Sequence, residues 1–176
     1  MTQTRIRWYR RKDMDDRTKT AITALGGFVL GVIVVLFIMK IAAPGMMIHE
    51  AKSPYDFNTT VDTIIANAKS EGWKVPNTYD FQKSILDAGS GDVGRTEVIG
   101  MCQPEYASGL LGADDTKFVA VMMPCAVAVY EKSDGGTYVA SMNIGIMGNV
   151  FGGAVDQTMS KVAADDKKIL GFAQVI

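Results

Sequence analysis

The feature that most constrains this chain is an uncharged run of 20 residues, from Thr20 to Met39. At 1.5 Å per residue, a helix of that length is about 30 Å long, which matches the hydrocarbon thickness of a bilayer. A core helix of so small a domain would carry a polar face, and this run has none. The sequence therefore predicts one transmembrane helix over residues 20–41, preceded by a basic head over residues 1–19.

The charges of the chain are distributed unevenly about this run. Residues 1–40 hold 8 Lys and Arg against 3 Asp and Glu, whereas residues 41–176 hold 10 against 16, and together they give the net charge of −1. The positive-inside rule then predicts a single-pass protein of the cell inner membrane, with a cytoplasmic N-terminus and an exported, periplasmic C-terminal domain. The acidic body argues against nucleic acid as a partner, because nothing in it would neutralise phosphates.

A cleaved signal peptide is the alternative interpretation of the same segment. The uncharged run is longer than the roughly 7–15 apolar residues of a typical signal peptide, and Pro44 would hinder cleavage after Ala43, so we expect an uncleaved anchor. Within the run, Gly27 and Gly31 form a GxxxG pair that would let a second membrane helix approach closely, although glycine is also common in membrane helices. We therefore expect the bilayer, and either another membrane-protein subunit or a second copy of the chain, as partners.

The exported part is predicted to be one compact α+β domain. Residues 42–52 are interpreted as a linker and first strand, and residues 46–176 as the domain, since about 130 residues can bury one core. A helix is expected from Ser53 as its N-cap to Gly72, with Asp56 completing a capping box. The other expected elements are strands over 46–51, 73–75, 96–102, 118–123, 126–131 and 138–143, helices over 81–86, 104–112 and 155–163, and a loop over 145–153. This order favours a mainly antiparallel sheet with packed helices.

No catalytic constellation is visible in the sequence, so we expect a non-catalytic protein. The chain has a single histidine, His49, and the glycine-rich stretch 145–153 lacks the lysine of a phosphate-binding loop. The adjacent pairs Asp114–Asp115 and Asp165–Asp166 are expected to be solvated surface carboxylates.

Cys102 and Cys125 are the residues most open to a functional interpretation. In an oxidising compartment they would form a disulfide that closes a loop of 22 residues. Each also lies at the edge of a β-rich run beside a proline, where a thiol is accessible, and a helix after Cys102 would favour its thiolate. Further soft ligands, suited to Cu(I) or haem iron, are expected in His49, Met101, Met122 and Met123. Methionine is equally an ordinary core residue, so the structural and the ligand-binding interpretation both stay open.

Three segments of the exported part together resemble the uncharacterised DUF302 family: Ser53–Phe57 leading a helix to Trp73, Ile99–Pro104, and Met123–Glu131. The resemblance covers roughly residues 46–170. It implies a small, often dimeric α+β fold of the β-α-β4-α type, with no established catalytic activity and with members that often occur among sulfur-oxidation proteins.

Residue by residue, this resemblance picks out only Cys102, Pro104, Pro124 and Cys125. The membrane helix and the glycine-rich stretch near residue 150 are expected to fall outside the family pattern. Two hypotheses follow. The first is a membrane-anchored, exported binding module or accessory subunit of a larger membrane assembly; the alternative is a redox, sulfur-handling or metal- or haem-binding protein that uses Cys102 and Cys125.

Overall fold

The computed structural model describes residues 3–173, with side chains described for residues 19–41 and 45–173. Packing divides the chain into two compact units, Met1–Pro44 and Gly45–Ile176. Helix α1, Gln3–Met47, fills the described part of the first unit. Within the described chain, one helical segment is long and apolar enough to cross a membrane: Lys19–Ile41, with a mean hydropathy of 2.7 and none of it buried.

The exit from this helix differs from the expected one. The sequence predicts a break at Pro44 and a strand from Met46, whereas α1 continues to Met47 and the first strand begins at Ile48. A single proline removes one backbone hydrogen bond, and a helix can continue beyond it at that cost. The chain therefore passes from helix to strand without a linker.

The second unit is an α+β domain whose strands form one antiparallel sheet. Its elements are β1 Ile48–Lys52, α2 Phe57–Ser70, β2 Lys74–Asp80, α3 Phe81–Asp87, β3 Thr96–Cys102, α4 Pro104–Leu111, a 3₁₀ helix Lys117–Met122, β4 Cys125–Glu131, β5 Thr137–Met142, α5 Ile144–Phe151, α6 Gly153–Leu170 and a 3₁₀ turn Gly171–Ala173. Over the described residues the sheet has five strands in the order β1-β5-β4-β3-β2. The predicted fold class, a mainly antiparallel sheet with packed helices, is confirmed.

The core lies between one face of this sheet and the helices. Strand residues alternate between the two faces, and the core face carries Ile99, Val127, Val129 and Val139, each at most 1% exposed. The helices contribute their own apolar faces, with Phe57, Ile64 and Ala68 from α2 and Val155, Met159, Val162, Ile169 and Leu170 from α6. The helical spacing predicted the buried face of α2 and that of α6 as far as Val162, whereas Ile169 and Leu170 lie beyond the predicted end of the last helix.

The start of α2 corrects the expected capping. Asp56, not Ser53, is the N-cap, and its Oδ1 accepts a hydrogen bond from the Thr59 backbone N–H at 3.1 Å. Ser53 is held away from the helix because its own N–H donates to the Thr137 carbonyl at 2.9 Å, which extends the β1–β5 ladder. Its hydroxyl is hydrogen-bonded to that of Thr60 at 2.7 Å.

Two further expectations are wrong. The expected strand 118–123 is instead a 3₁₀ helix, Lys117–Met122, with Val119 buried while Val121 is 88% exposed. The glycine-rich stretch 145–153 is mostly helix α5 rather than a loop. A Cβ on Gly148 would lie 2.7 Å from the Met159 Cβ, so glycine lets α5 pack closely against α6.

Candidate functional site

Most of the sulfur-bearing residues singled out in the sequence meet at one small apolar cavity, here called the sulfur cavity. It is bordered by the ends of β3 and β4, by α4, by the 3₁₀ helix 117–122 and by α6, and its volume is about 30 Å³. That volume is close to the share of one water molecule in the liquid. The sulfur-bearing residues that line it are Met101, Cys102, Met122, Met123, Cys125 and Met159. Met159 of α6 is the one sulfur-bearing residue of this lining that the sequence analysis does not single out.

Cys125 faces this cavity as a protonated thiol. It begins β4 and lies directly opposite Met101 of β3, so the two side chains share the core side of the sheet. Burial, with smaller contributions from the nearby Asp166 and Cys102, raises the pKa of the Cys125 thiol to about 12. Because the thiolate is the nucleophile and the metal-binding form, Cys125 is inert at neutral pH unless a ligand displaces its proton.

Cys102 ends β3, opposite Lys74 of β2, and is half-buried like Cys125. The two cysteines are separate thiols in this structure, so the disulfide that the sequence allows is not formed here. The chain turns after Cys102 into α4, whose N-cap is Gln103 with a side chain that accepts a hydrogen bond from the Glu105 N–H at 2.9 Å. Pro104 occupies the first helical turn, as expected.

Pro124, the second proline of the resemblance, also borders the sulfur cavity. Pro124 follows a cis peptide bond with Met123 and packs against the β3 backbone. A Cβ on Gly100 would lie 3.1 Å from the Pro124 Cγ, so glycine provides the room for this contact. Cys102, Pro124 and Cys125 therefore border one site, whereas Pro104 starts the helix beside it.

Asp165 of α6 fixes the aromatic wall of the sulfur cavity. The Trp73 indole N–H and the Tyr106 hydroxyl each donate to Asp165 Oδ2 at 3.2 Å. The two rings meet edge to face with centroids 6.2 Å apart, and both line the cavity. Lys168 Nζ lies 3.2 Å from the other carboxylate oxygen. The expectation that Asp165 is a solvated surface residue is wrong, since its side chain is only 14% exposed.

His49 is not part of the sulfur cavity. It lines a second space of about 160 Å³, here called the polar cavity, together with Ser141, Asp166 and Lys167. His49 pairs with Ser141 across the β1–β5 ladder, and the Ser141 hydroxyl donates a long hydrogen bond of 3.4 Å to Asp166 Oδ2. Burial raises the pKa of Asp166 to about 6, and the Ser141 hydrogen bond offsets part of that rise.

The sequence contains a pattern that places Asp166 on the core-facing side of its helix. Val155, Met159, Val162 and Ile169 mark the buried face of α6, and Asp166 continues the same helical spacing between the last two. A carboxylate at such a position loses part of its contact with water when the apolar residues around it pack into the core. Asp114 shows the contrast: its side chain is 94% exposed and pairs only with Lys117 at 2.7 Å.

The donor set limits which groups the sulfur cavity can hold. Among the described residues, no three His, Cys, Asp or Glu side chains converge on one point, so a metal ion there would depend on methionine thioethers as well. Thiolate and thioether ligands suit Cu(I). Haem is larger than this space, since pockets for drug-sized ligands are roughly 300–1,000 Å³, so haem binding by the protein stays a prediction.

The paired glycines of α1 have open space around them. A Cβ built on Gly27 or Gly31 would meet nothing within 4 Å. Packing through this face would require a second helix from outside the chain, so the role of Gly27 and Gly31 in helix pairing stays a prediction.

Comparisons with known proteins agree with the fold. The family model described as "Domain of unknown function DUF302" matches residues 49–171. That range includes the glycine-rich α5, which corrects the expectation that this stretch lies outside the family pattern, and it excludes α1 up to Met47. No curated protein matches the chain.

A solved structure carries the same architecture. It is described as the crystal structure of the uncharacterized conserved protein DUF302 from Bacillus stearothermophilus. It is 17% identical in sequence, with a TM-score of 0.65, and the match covers 73% of this chain and 99% of that one. At that identity the likeness supports the fold alone. Since the family model covers well over half of the residues and the fold agrees, the chain belongs to the DUF302 family.

Proposed function

We propose that this protein is a membrane-anchored binding module, with α1 crossing the cell inner membrane once and the DUF302 domain on the extracytoplasmic side. The observation that carries the proposal is the helix surface over Lys19–Ile41, none of which is buried within the chain. Large side chains such as Phe28 and Phe37 are 70% and 64% exposed. Apolar surface of this extent is unfavourable in water by about 25 cal/mol per Å², and a bilayer removes that cost.

The proposed orientation of the protein in the membrane follows from the distribution of charge along the chain. The basic head before the span, residues 1–19, carries seven Lys and Arg against three Asp and Glu, and the positive-inside rule retains such a segment in the cytoplasm. The exported domain would then meet partners at or above the outer face of the membrane. Its role would be that of an accessory subunit, recruited into a larger assembly through the membrane helix, through the domain, or through both.

Two measurements test this proposal. Alkaline carbonate extraction should leave the full-length protein in the membrane fraction, and a Leu30→Arg/Val34→Arg variant should be released, because a charge at the centre of a span costs about 2.5–3.5 kcal/mol. The matched control, Leu86→Arg/Val93→Arg, places the same charges on exposed residues of the domain and should stay membrane-bound. Size analysis after mild detergent extraction should give a complex, and a lone monomer of 19.0 kDa would contradict the accessory-subunit role.

The sulfur cavity supports a second candidate function, the binding of Cu(I). Its support is the convergence of Cys102, Cys125 and the thioethers of Met101, Met122 and Met123 on a space of about 30 Å³. An ion needs no more room than that. Coordination would displace the Cys125 proton, so the affinity should rise with pH.

Anaerobic titration of the full-length protein with Cu(I), against a competing chelator, tests this candidate. Cys125→Ser and Met123→Leu should weaken binding, whereas Met142→Leu should leave it unchanged, because Met142 lies outside the cavity and is 37% exposed. Non-reducing intact mass would show whether the purified protein carries free thiols, a disulfide or a sulfur adduct. A mass two protons light, with no uptake of alkylating agent, would assign the cysteines a structural role instead.

A further inference from the structure

The polar cavity is large enough to hold a small molecule. Its volume is about 160 Å³, which equals the share of about five water molecules in the liquid. Pockets for drug-sized ligands are larger, at roughly 300–1,000 Å³, so this space suits a molecule of roughly five to eight non-hydrogen atoms. Every residue that lines it lies in the unit Gly45–Ile176, and none of them lines the sulfur cavity. Binding here would therefore be a property of the domain that is separate from the sulfur residues.

One side chain at this cavity is a half-buried carboxylate without a cation beside it. Asp166 accepts one hydrogen bond, from the Ser141 hydroxyl, at the long distance of 3.4 Å. Over residues 45–173, no Lys, Arg or His side chain forms an ion pair with it. With a pKa of about 6, Asp166 is mostly ionised at neutral pH. A partly desolvated carboxylate is unfavourable unless a positive group compensates it, and the ammonium group of a ligand would do so.

The other polar groups at the cavity include donors that lack an acceptor. His49 is half-buried opposite Ser141 on the β1–β5 ladder, and Lys167 is exposed. Among the described residues, no group is hydrogen-bonded or ion-paired to the His49 imidazole or to the Lys167 ammonium group. Ile144 and Gly145 begin α5 at the same cavity, and N–H groups at these positions have no acceptor within a helix. These groups favour the anionic part of a ligand.

The charges of the cavity select between classes of ligand. A simple anion would meet the Asp166 carboxylate, and a simple amine would meet the Lys167 ammonium group, so a like charge would oppose either one. A metal ion would find one imidazole and one carboxylate among the described lining residues, again beside Lys167. A zwitterion brings a positive group to the carboxylate and a negative group to the donors, and it is therefore the class that matches the cavity.

We propose that the polar cavity binds a small zwitterionic amino acid, whose ammonium group donates to Asp166 and whose carboxylate accepts from Lys167, His49 and the first turn of α5. Ile144 and Ala163 supply apolar surface at the same cavity, against which a short aliphatic side chain packs. Alanine and valine are within the size range that the volume sets. This binding depends neither on the membrane anchor nor on Cu(I).

Equilibrium dialysis of the detergent-solubilised, full-length protein with radiolabelled L-alanine tests the proposal. Unlabelled L-alanine and L-valine should displace the label, whereas propionate, which lacks the ammonium group, and ethylamine, which lacks the carboxylate, should not. Asp166→Asn should weaken binding about tenfold or more, because it removes a charge-assisted hydrogen bond. Lys167→Gln should weaken it about threefold, because Lys167 is exposed. The controls Asp114→Asn and Lys161→Gln remove exposed charges outside the cavity and should leave binding unchanged.

The opposite results would overturn the proposal. One is the absence of bound alanine at a free concentration of about 10 mM, at which a site with a Kd of about 1 mM would be mostly filled. Another is displacement by propionate or ethylamine as effective as that by valine, which would mean that the cavity recognises a single charge. A third is equal binding by the unsubstituted protein and a cooperatively folded Asp166→Asn variant, since the alanine would then be bound elsewhere.

Discussion

The sulfur cavity and the polar cavity are both bordered by α6, yet they differ in almost every chemical respect. The first is about 30 Å³ and apolar, and the second is about 160 Å³ and holds His49, Ser141 and Asp166. Two consecutive residues of one helix mark the difference. Asp165 finds an indole N–H, a phenol hydroxyl and an ammonium group, whereas Asp166 finds one distant serine hydroxyl.

This contrast shows that burial alone does not determine what a carboxylate does. Asp165 is satisfied by donors and serves as a structural link between α6, α4 and the residue before β2. Asp166 is half-buried with one distant donor, and the loss of solvation raises its pKa to about 6. The first carboxylate stabilises the wall of one cavity, and the second makes the other cavity sensitive to pH.

The largest expected effect concerns the thiol of the sulfur cavity. The pKa of Cys125 is raised from 9.0 to about 12. At pH 8 its thiolate fraction should therefore be about 1,000-fold lower than that of an ordinary thiol, and iodoacetamide should alkylate it correspondingly slowly. Peptide mass spectrometry of timed reactions, in buffer and in urea, measures the ratio. Equal rates in the two conditions would contradict a buried, protonated thiol.

Asp165→Ala should be the most destabilising single change among these residues. It leaves the Trp73 N–H and the Tyr106 hydroxyl without their acceptor, and we expect a loss of about 4 kcal/mol in the free energy of unfolding. Denaturation of the detergent-solubilised protein, followed through tryptophan emission, measures this loss. Asp114→Ala is the matched control, with an expected change below about 1 kcal/mol because its ion pair is exposed. Similar losses in both variants would remove the distinction between the two aspartates.

Asp166→Asn should change how stability depends on pH. The folded pKa of about 6 lies above the unfolded value of about 3.9, so the folded state binds the proton more tightly and stability falls as pH rises from about 4 to 6. Asparagine carries no charge, so the variant should lack this fall and be up to about 3 kcal/mol more stable than the natural protein at pH 7.5.

Unfolding curves at pH 4.5 and 7.5 for both proteins test the sign as well as the size. The same substitution should lower the pKa of Cys125, because the Asp166 charge is one of its causes. A variant that is less stable than the natural protein at pH 7.5 would show that the Asp166 carboxylate is stabilising and would reverse this account of the polar cavity.

The smallest expected effect concerns the packing of α5 against α6. Gly148→Ala would place a Cβ 2.7 Å from the Met159 Cβ and force α5 away from α6, at a cost of about 1–2 kcal/mol. Gly145→Ala is the control on the same helix, since its nearest neighbour would be 3.7 Å away. There alanine should stabilise slightly through its higher helix propensity. Thermal unfolding of the two variants, measured side by side, shows whether these glycines are required for the close packing of α5 against α6 or for backbone flexibility.

The sequence predicts those parts of the fold that local chemistry determines. β3 and α4 have the expected bounds to within a residue, because Pro104 starts the helix and Gly112 follows its end. The 3₁₀ helix 117–122 was misassigned because its β-branched and apolar residues favour a strand locally, and only tertiary packing selects Val119 for the core.

The candidate site was predictable only in part. The sequence indicates Cys102 and Cys125 as candidate residues, with a methionine close to each. It does not predict that they converge on one cavity, because that depends on the strand register in which Met101 opposes Cys125. The hydrogen bond from Trp73 to Asp165 joins residues that are 92 positions apart, so no local sequence pattern predicts it. The sequence groups His49 with the sulfur residues by chemistry alone, whereas the strand order places it on the edge strand β1, with β5 between it and β4.

The passage of α1 into β1 without a linker has a mechanical consequence. β1 is an edge strand whose backbone pairs with β5, through five residue pairs from Ile48–Met142 to Lys52–Tyr138, and its Glu50 also accepts hydrogen bonds from the side chains of Tyr130 and Lys132. Any pull on the helix enters the domain at this strand before it reaches the core. The β1–β5 ladder is therefore the first part of the sheet to bear such a pull.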